Sequence, residues 1–283
     1  MAKVVLLGAN GQLGSDIVRI FTNTQHELVA LTRDKFDINN VTSLDNLANI
    51  DYIINCIAYT NVDGAENNYT LANQINAAFT YDLSRYCNSN NIVLIHISTD
   101  YVFAGDKDRL LQESDNVLPV NNYGLTKLNG EILVSNYHDK YFIFRVASLY
   151  GVAGASGKGG NFVNTMLRLA NTRDSFGVIA DQYSHPTHSL DVARCLLYFI
   201  DKQITDYGLY HCVGYDSCSW YEFAKEILLQ SGLDKNKIQP LDFNEYKFIA
   251  KRPQYTKLST SKLDKYFILN GYKQALIEYF RIE

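Results

Sequence analysis

Short, uninterrupted apolar runs alternate with stretches of helical spacing through the first half of the chain. Val4–Leu7 is the first such run and reads as a strand buried on both faces; Gly8 to Gly14 then makes a turn, and Ser15–Thr22 opens a helix. His26–Thr32, Tyr52–Ile57, Ile92–Ile97 and Tyr141–Val146 predict further strands, and Val41–Asn49, Ala72–Cys87 and Tyr123–Val134 predict helices between them. Parallel strands need crossover helices, which cover both sheet faces and leave the strands apolar throughout. The pattern therefore predicts an α/β fold, a Rossmann-type doubly wound parallel sheet. From Ser148 the rhythm changes. A glycine-rich loop spans Ala153–Gly160, followed by helices over Phe162–Ala170, Leu190–Ile200 and Trp220–Ser231, and all four prolines (119, 186, 240, 253) fall in predicted loops. The layout expected is a dinucleotide-binding domain over 1–147 and a smaller C-terminal substrate-binding α/β lobe over 148–283. Within that lobe, about 187–205 is expected to pack back on the first domain.

Composition narrows the function classes. At 283 residues, 47% hydrophobic and 20% charged, the chain is long enough to bury a sizeable core and is not of disordered type. Net charge is −4 with no lysine/arginine run, which argues against a nucleic-acid partner. The five cysteines (56, 87, 195, 212, 218) are scattered without a C-x-x-C, as expected of reduced thiols in the cytoplasm. The N-terminal apolar run is too short for a signal peptide and none later approaches a membrane span, so no membrane partner is expected.

Candidate chemistry begins in the first turn. Gly8-Ala-Asn10-Gly11-Gln12-Leu13-Gly14 stands between the first strand and the first helix, the context of a dinucleotide-binding turn. Glycine lets backbone approach a pyrophosphate without a Cβ clash, and the helix N-terminus offers amides and partial positive charge. After strand two comes Leu31-Thr32-Arg33-Asp34. Arg33 suits a 2′-phosphate and so favours NADPH over NADH, against the alternative of a solvated surface arginine, and Asp34 complicates the reading. Asp37 and Ile38 are candidates to lie against the adenine, the alternative for Asp37 being a cap.

Tyr123 and Lys127, four apart, share one helix face. An ammonium beside a phenol favours the phenolate and draws the tyrosine toward useful acid–base range. An upstream hydroxyl, Ser98 or Thr99, is placed to hold a carbonyl oxygen beside them. Alone, such a pair is common in a chain with 21 tyrosines.

Glycine turn, Ser98-Thr99-Asp100-Tyr-Val-Phe103 and Tyr123-x3-Lys127 in this order resemble the extended short-chain dehydrogenase/reductases, and among them the dTDP-4-dehydrorhamnose reductase family. Further strings carry the resemblance over nearly the whole chain: Ala58-Tyr-Thr60-Asn-Val-Asp63-x-x-Glu66, Tyr123-Gly-x-Thr-Lys-x-x-Gly-Glu131, Gly159-Gly-Asn161-Phe162, Asp181-Gln182 with Pro186-Thr187, and Arg252-Pro253 with Leu258–Lys262. The resemblance implies reduction, by NADPH (NADH being possible), of the C4 keto group of a nucleotide-linked 6-deoxy-4-ketohexose. Tyr123 would be the proton donor, Lys127 would lower its pKa and hold the nicotinamide ribose, and Thr99 would bond the carbonyl oxygen, the 24-residue spacing favouring it over Ser98. Ala58 and Thr60 would lie by the nicotinamide half; Asp100, Asn161, Phe162, Gln182 and Arg252 would face the nucleotide sugar. It leaves open a divalent magnesium ion at a subunit contact, and a homodimer.

Two departures stand out. The family reads R-T-S-W-V-Y where this chain has Arg145-Val-Ala-Ser148-Leu-Tyr150, so a tryptophan expected near the sugar is absent. A bifunctional relative, GDP-fucose synthase, carries a cysteine where this chain has Asp100, so reduction alone is expected, with a separate 3,5-epimerase acting upstream. The rival readings are a reductase of a related 4-keto nucleotide sugar, an epimerase or dehydratase of the same fold, and a non-catalytic cofactor-binding regulatory subunit. His185 and His188 are weak candidates for a metal, and Cys56 reads as core.

Overall fold

The computed structural model describes residues 1–154 and 160–282, so most of the expected glycine-rich loop, Gly159 included, lies outside the described residues. Six strands form the central sheet: β1 (Lys3–Leu7), β2 (Glu27–Leu31), β3 (Tyr52–Asn55), β4 (Val93–Thr99), β6 (Tyr141–Val146) and β11 (Gly208–His211). Their order is β11-β6-β4-β3-β1-β2 and every pairing is parallel. The chain runs outward from β1 to β2 and then returns to β3 on the other side. Doubly wound sheets bind ligands at such a reversal, here beyond the carboxyl ends of β1 and β3. In the register, Leu7 lies opposite Asn55 and Asn55 opposite His96, so the ends of β1, β3 and β4 meet there.

Both sheet faces are covered. On one, α1 (Gln12–Phe21) and α7 (Ser189–Asp201) bury Ile17, Phe21, Val192, Leu196 and Phe199 against Leu6, Phe142 and Phe144. On the other, Phe79 and Leu83 of α4 (Phe79–Ser89) and Val134 of α5 (Asn122–Tyr137) pack on Val5, Leu7 and Leu94. A third cluster, including Met166, Phe223, Ile227, Leu276 and Tyr279, gathers α6 (Phe162–Thr172), α8 (Trp220–Gln230) and α9 (Tyr272–Ile282). The remaining short strands pair two by two: β5 (Leu110–Leu111) with β14 (Lys257–Leu258), β7 (Leu149–Tyr150) with β10 (Thr187–His188), β8 (Phe176–Ile179) with β13 (Ile238–Leu241), and β9 (Tyr183–Ser184) with β12 (Cys218–Ser219).

Several elements differ from the pattern reading. The helix expected at Val41–Asn49 is a tight turn over Val41–Asn46; Leu47 is already extended, and Asn49 at φ +59° cannot continue a right-handed helix. The helix expected at Ala72–Cys87 begins earlier, as α2 (Val62–Asn67) and α3 (Tyr69–Asn73), and widens at Gln74–Ala78 before α4. That wide turn accommodates a close crossing: a Cβ on Gly130 of α5 would stand 2.4 Å from the Asn76 carbonyl oxygen. Pro240 lies in β13, not in a loop. Among the described residues β13 pairs only with β8, so the missing N–H faces no ladder partner.

Candidate active site

The glycine turn builds a cradle. Gly8 stands at φ +82°, and a Cβ on Gly14 would lie 2.2 Å from the Gly8 carbonyl oxygen. Gly11 begins α1 in extended conformation, and no side chain caps the first turn. Backbone thus approaches from both sides, and the helix end is left for an anion, which fits a dinucleotide pyrophosphate. Asn10 is exposed on the turn, Leu13 is anchored in the core, and the buried Gln12 Oε1 has no hydrogen-bond partner among the described residues. Arg33 is exposed just past β2, and the neighbouring Asp34, also exposed, accepts from the Thr32 hydroxyl. Asp37 accepts from the Asn39 amide at 2.9 Å, a local turn cap, while Ile38 packs half-buried on the core. Ala58 and Thr60 follow β3.

Thr99 ends β4, and Tyr123 occupies the first turn of α5. Two local devices bring them together. Asn121 caps α5 by accepting from the Gly124 amide at 2.8 Å, and a Cβ on Gly124 would meet the Tyr101 carbonyl oxygen at 2.2 Å. The helix start therefore rests directly on the turn after β4, with the Tyr101 and Tyr123 rings edge to face at 5.7 Å. The Thr99 hydroxyl stands beside the Tyr123 phenol and lowers its pKa, and its Oγ1 donates to Asp100 Oδ1 at 3.1 Å. Asp100 is 2% exposed, and burial lifts its carboxyl to about 6.

The electrostatics differ from the simple picture of an ammonium lowering a phenol. Burial pushes Tyr123 up to about 12, the Thr99 bond draws it back, and Asp100 raises it. Lys127 directs its Nζ to the Ile97 carbonyl at 2.6 Å, and burial drops it to about 8 against the supporting charge of Glu131. A phenol that stays protonated at neutral pH is a loaded acid, the state a proton donor needs at the start of a reduction. Below Lys127, Glu131 accepts from Arg145 Nε at 2.9 Å, from Arg145 Nη2 at 2.7 Å and from Ser98 Oγ at 2.5 Å. Ser98 is therefore committed to Glu131, leaving Thr99 as the hydroxyl beside the tyrosine.

The other nominated residues have structural partners. Asn161 caps α6 through the Asn164 amide and donates to the Gly151 carbonyl, so both ends of its amide are engaged. Phe162 packs on Trp220 at 4.5 Å. Gln182 donates to the Pro253 carbonyl. Arg252 pairs with Asp63 of α2 at 2.7 Å and lies over Phe248. His185 engages both ring nitrogens, with Gly214 and Leu258, while His188 stacks on Tyr150. Among the described residues no group of three or more His, Cys, Asp or Glu side chains is arranged to hold a metal ion. Burial raises Cys56 to about 12, as for an inert thiol. No described helix is long and apolar enough to cross a membrane.

Pattern reading passed over Ser184 and Thr256, which bond Asp100, Ser148, which bonds Ser184, and Asn76, whose side chain bonds both backbone groups of Tyr59 and the Thr126 hydroxyl. None carries a local spacing that would single it out.

The model of the RmlD substrate binding domain family matches residues 2–282. A dTDP-4-dehydrorhamnose reductase of Aggregatibacter actinomycetemcomitans is 35% identical over 94% of both chains. The solved dTDP-4-dehydrorhamnose reductase of Clostridium acetobutylicum is 38% identical over 99% of both chains, with a TM-score of 0.91. The Bacillus anthracis enzyme of that name, solved in complex with NADP, is 33% identical over the full length of both chains, also with a TM-score of 0.91.

Proposed function

This chain belongs to the dTDP-4-dehydrorhamnose reductase family, and from that membership we propose that it reduces the C4 keto group of a nucleotide-linked 4-keto-6-deoxyhexose with NADPH, turning dTDP-4-dehydro-L-rhamnose into dTDP-L-rhamnose. The observation that carries the reading is the contact of Thr99 with Tyr123, with Lys127 one turn on, at the carboxyl end of the sheet beside the glycine cradle. The cofactor supplies the hydride. Gly8, Gly11, Gly14 and the open start of α1 hold its pyrophosphate, and Arg33 reads its 2′-phosphate. Thr99 donates a hydrogen bond to the keto oxygen, Tyr123 gives that oxygen its proton as negative charge develops, and the Lys127 ammonium stabilises the phenolate left behind. Asp100, Phe162, Gln182 and Arg252 line the sugar-nucleotide side. The relative solved with NADP supports the cofactor assignment.

The test mixes the protein with NADPH or NADH and a panel of dTDP-, UDP- and GDP-linked 4-keto-6-deoxy sugars, with and without a 3,5-epimerase. Cofactor absorbance is followed and the product identified. Oxidation of NADPH with the epimerised dTDP sugar is expected. Turnover only on UDP or GDP sugars overturns the nucleotide assignment, and equal rates with NADH overturn the role given to Arg33.

A further inference from the structure

The glycine cradle is wedged between the ends of two strands. On the β2 side the Leu31 carbonyl accepts from the Gly8 and Ala9 amides at 3.0 and 3.1 Å. On the β3 side a Cβ on Gly8 would stand 3.1 Å from the Cys56 carbonyl carbon and 3.2 Å from the Ile57 nitrogen, so the Cys56–Ile57 peptide lies directly against Gly8. Whatever fixes that peptide therefore fixes one wall of the cradle.

Asn55, the last residue of β3, fixes it. Its Oδ1 accepts from the Ile57 amide at 3.0 Å, an Asx turn. That contact settles which way the side chain faces. A backbone N–H can bond only the oxygen of the asparagine, so Nδ2 points the other way. There it meets His96 Nδ1 at 3.2 Å, across the register of β3 and β4. A side-chain NH2 only donates, so Nδ1 is the accepting nitrogen and the proton of the neutral ring sits on Nε2. Both residues are buried. Burial and the neighbouring Lys127 ammonium push the His96 pKa well below its usual value, which keeps the ring in that neutral form. His96 Nε2 has no hydrogen-bond partner among the described residues, and it lies 3.5 Å from where a Cβ on Gly130 of α5 would stand. Burying such a group costs stability, and the one polar contact the ring makes in return is with Asn55.

We propose that His96 is a positioning residue for the cofactor: through Asn55 it holds the Cys56–Ile57 peptide against Gly8 and so sets one wall of the pyrophosphate cradle. The inference rests on the cofactor half of the reductase reading. Without an acceptor at the place of Nδ1, the Asn55 amide is free to turn over and set its NH2 against the Ile57 N–H, donor facing donor. The peptide then loses its anchor and Gly8 its wall.

Two substitutions separate this role from packing. His96→Asn places a side-chain acceptor where Nδ1 stands, whereas His96→Gln carries it out to the position of Nε2. Both remove part of a buried ring, so Tm should fall in both, but only the first keeps a partner for Asn55. Each full-length protein is titrated with NADPH in a calorimeter, and exchange of the Ile57 amide hydrogen is followed without cofactor. In His96→Gln the Kd is expected to rise about tenfold, the scale of one neutral hydrogen bond, and Ile57 to exchange faster. In His96→Asn both should stay near the wild-type values. Asn55→Ala should reproduce the loss seen in His96→Gln, and combining the two should add nothing further. If both His96 variants bind NADPH as wild type does, the proposal is overturned and the cofactor reading stands. Equal weakening in both, in step with Tm, shows packing alone and also overturns it. A wild-type protein that takes up no NADPH removes both the proposal and the reading beneath it.

Discussion

Replacing Glu131 by glutamine removes one charge from a buried pair while keeping the side chain's shape. Glu131 and Arg145 are each 4% exposed at the side chain and joined through two guanidinium nitrogens, with Arg145 stacked over Phe103 at 4.9 Å. In Glu131→Gln the guanidinium keeps its place but faces a neutral amide. The nearest alternative partner, His211 at 3.5 Å, is a poor one: burial and Arg145 itself push it down to about 3, so it is neutral. Breaking a buried pair by removing one partner costs about 3–5 kcal/mol. At roughly 2 °C per kcal/mol for a chain of this size, Tm should fall by about 6–10 °C. The paired variant Glu131→Leu/Arg145→Met leaves no orphaned charge and should recover most of the loss, a coupling measured by urea denaturation of wild type, Glu131→Leu, Arg145→Met and the double variant. Glu131 also supports the charged form of Lys127, so in Glu131→Gln the lysine should titrate below about 8 and the alkaline limb of the kcat profile should move to lower pH. A single-variant cost under about 1 kcal/mol, or a double variant no more stable than the singles, would refute the reasoning.

Tyr123→Phe should lower kcat by about 10²–10⁴ while NADPH affinity, read by calorimetry, stays at the wild-type value; loss of both together would assign the tyrosine to cofactor binding. Gly14→Ala forces a Cβ to within 2.2 Å of the Gly8 carbonyl oxygen, and the displaced turn should weaken NADPH binding by about 1–3 kcal/mol, roughly five- to 150-fold in Kd; an unchanged Kd would show that the turn does not cradle the cofactor. Asp100 is raised from an unfolded value of 3.8 to about 6, so the folded state binds the extra proton between those values and its stability falls as pH rises through that window. Asp100→Asn removes that dependence: its stability relative to wild type should grow by roughly 2 kcal/mol between pH 4 and 7, and parallel denaturation curves across that range would contradict the buried carboxylate.

Much of this protein is legible along the chain because the relevant physics is local. Apolar runs such as Val4–Leu7 and Phe142–Phe144 show strands buried on both faces, and only a parallel sheet with helices on each side provides that burial. Gly8, Gly11 and Gly14 mark a turn because the backbone requirement falls within seven residues. Tyr123 and Lys127 can be paired because helical periodicity alone puts them on one face. The tertiary structure decided what no spacing encodes. It bent the segment before α4 into a wide turn, since Gly130 of a distant helix presses on Asn76. It placed Pro240 in a strand, which is tolerated there because among the described residues β13 pairs with β8 alone. It assigned Ser98 to Glu131 and Thr99 to Tyr123, a choice between adjacent hydroxyls made by the alternation of side chains across the end of β4. And it brought Ser184 and Thr256 onto the Asp100 carboxylate, with Ser148 on Ser184, although 156 residues separate Asp100 from Thr256. A hydrogen bond depends on distance in space, so groups that far apart in sequence leave no periodic trace of their meeting.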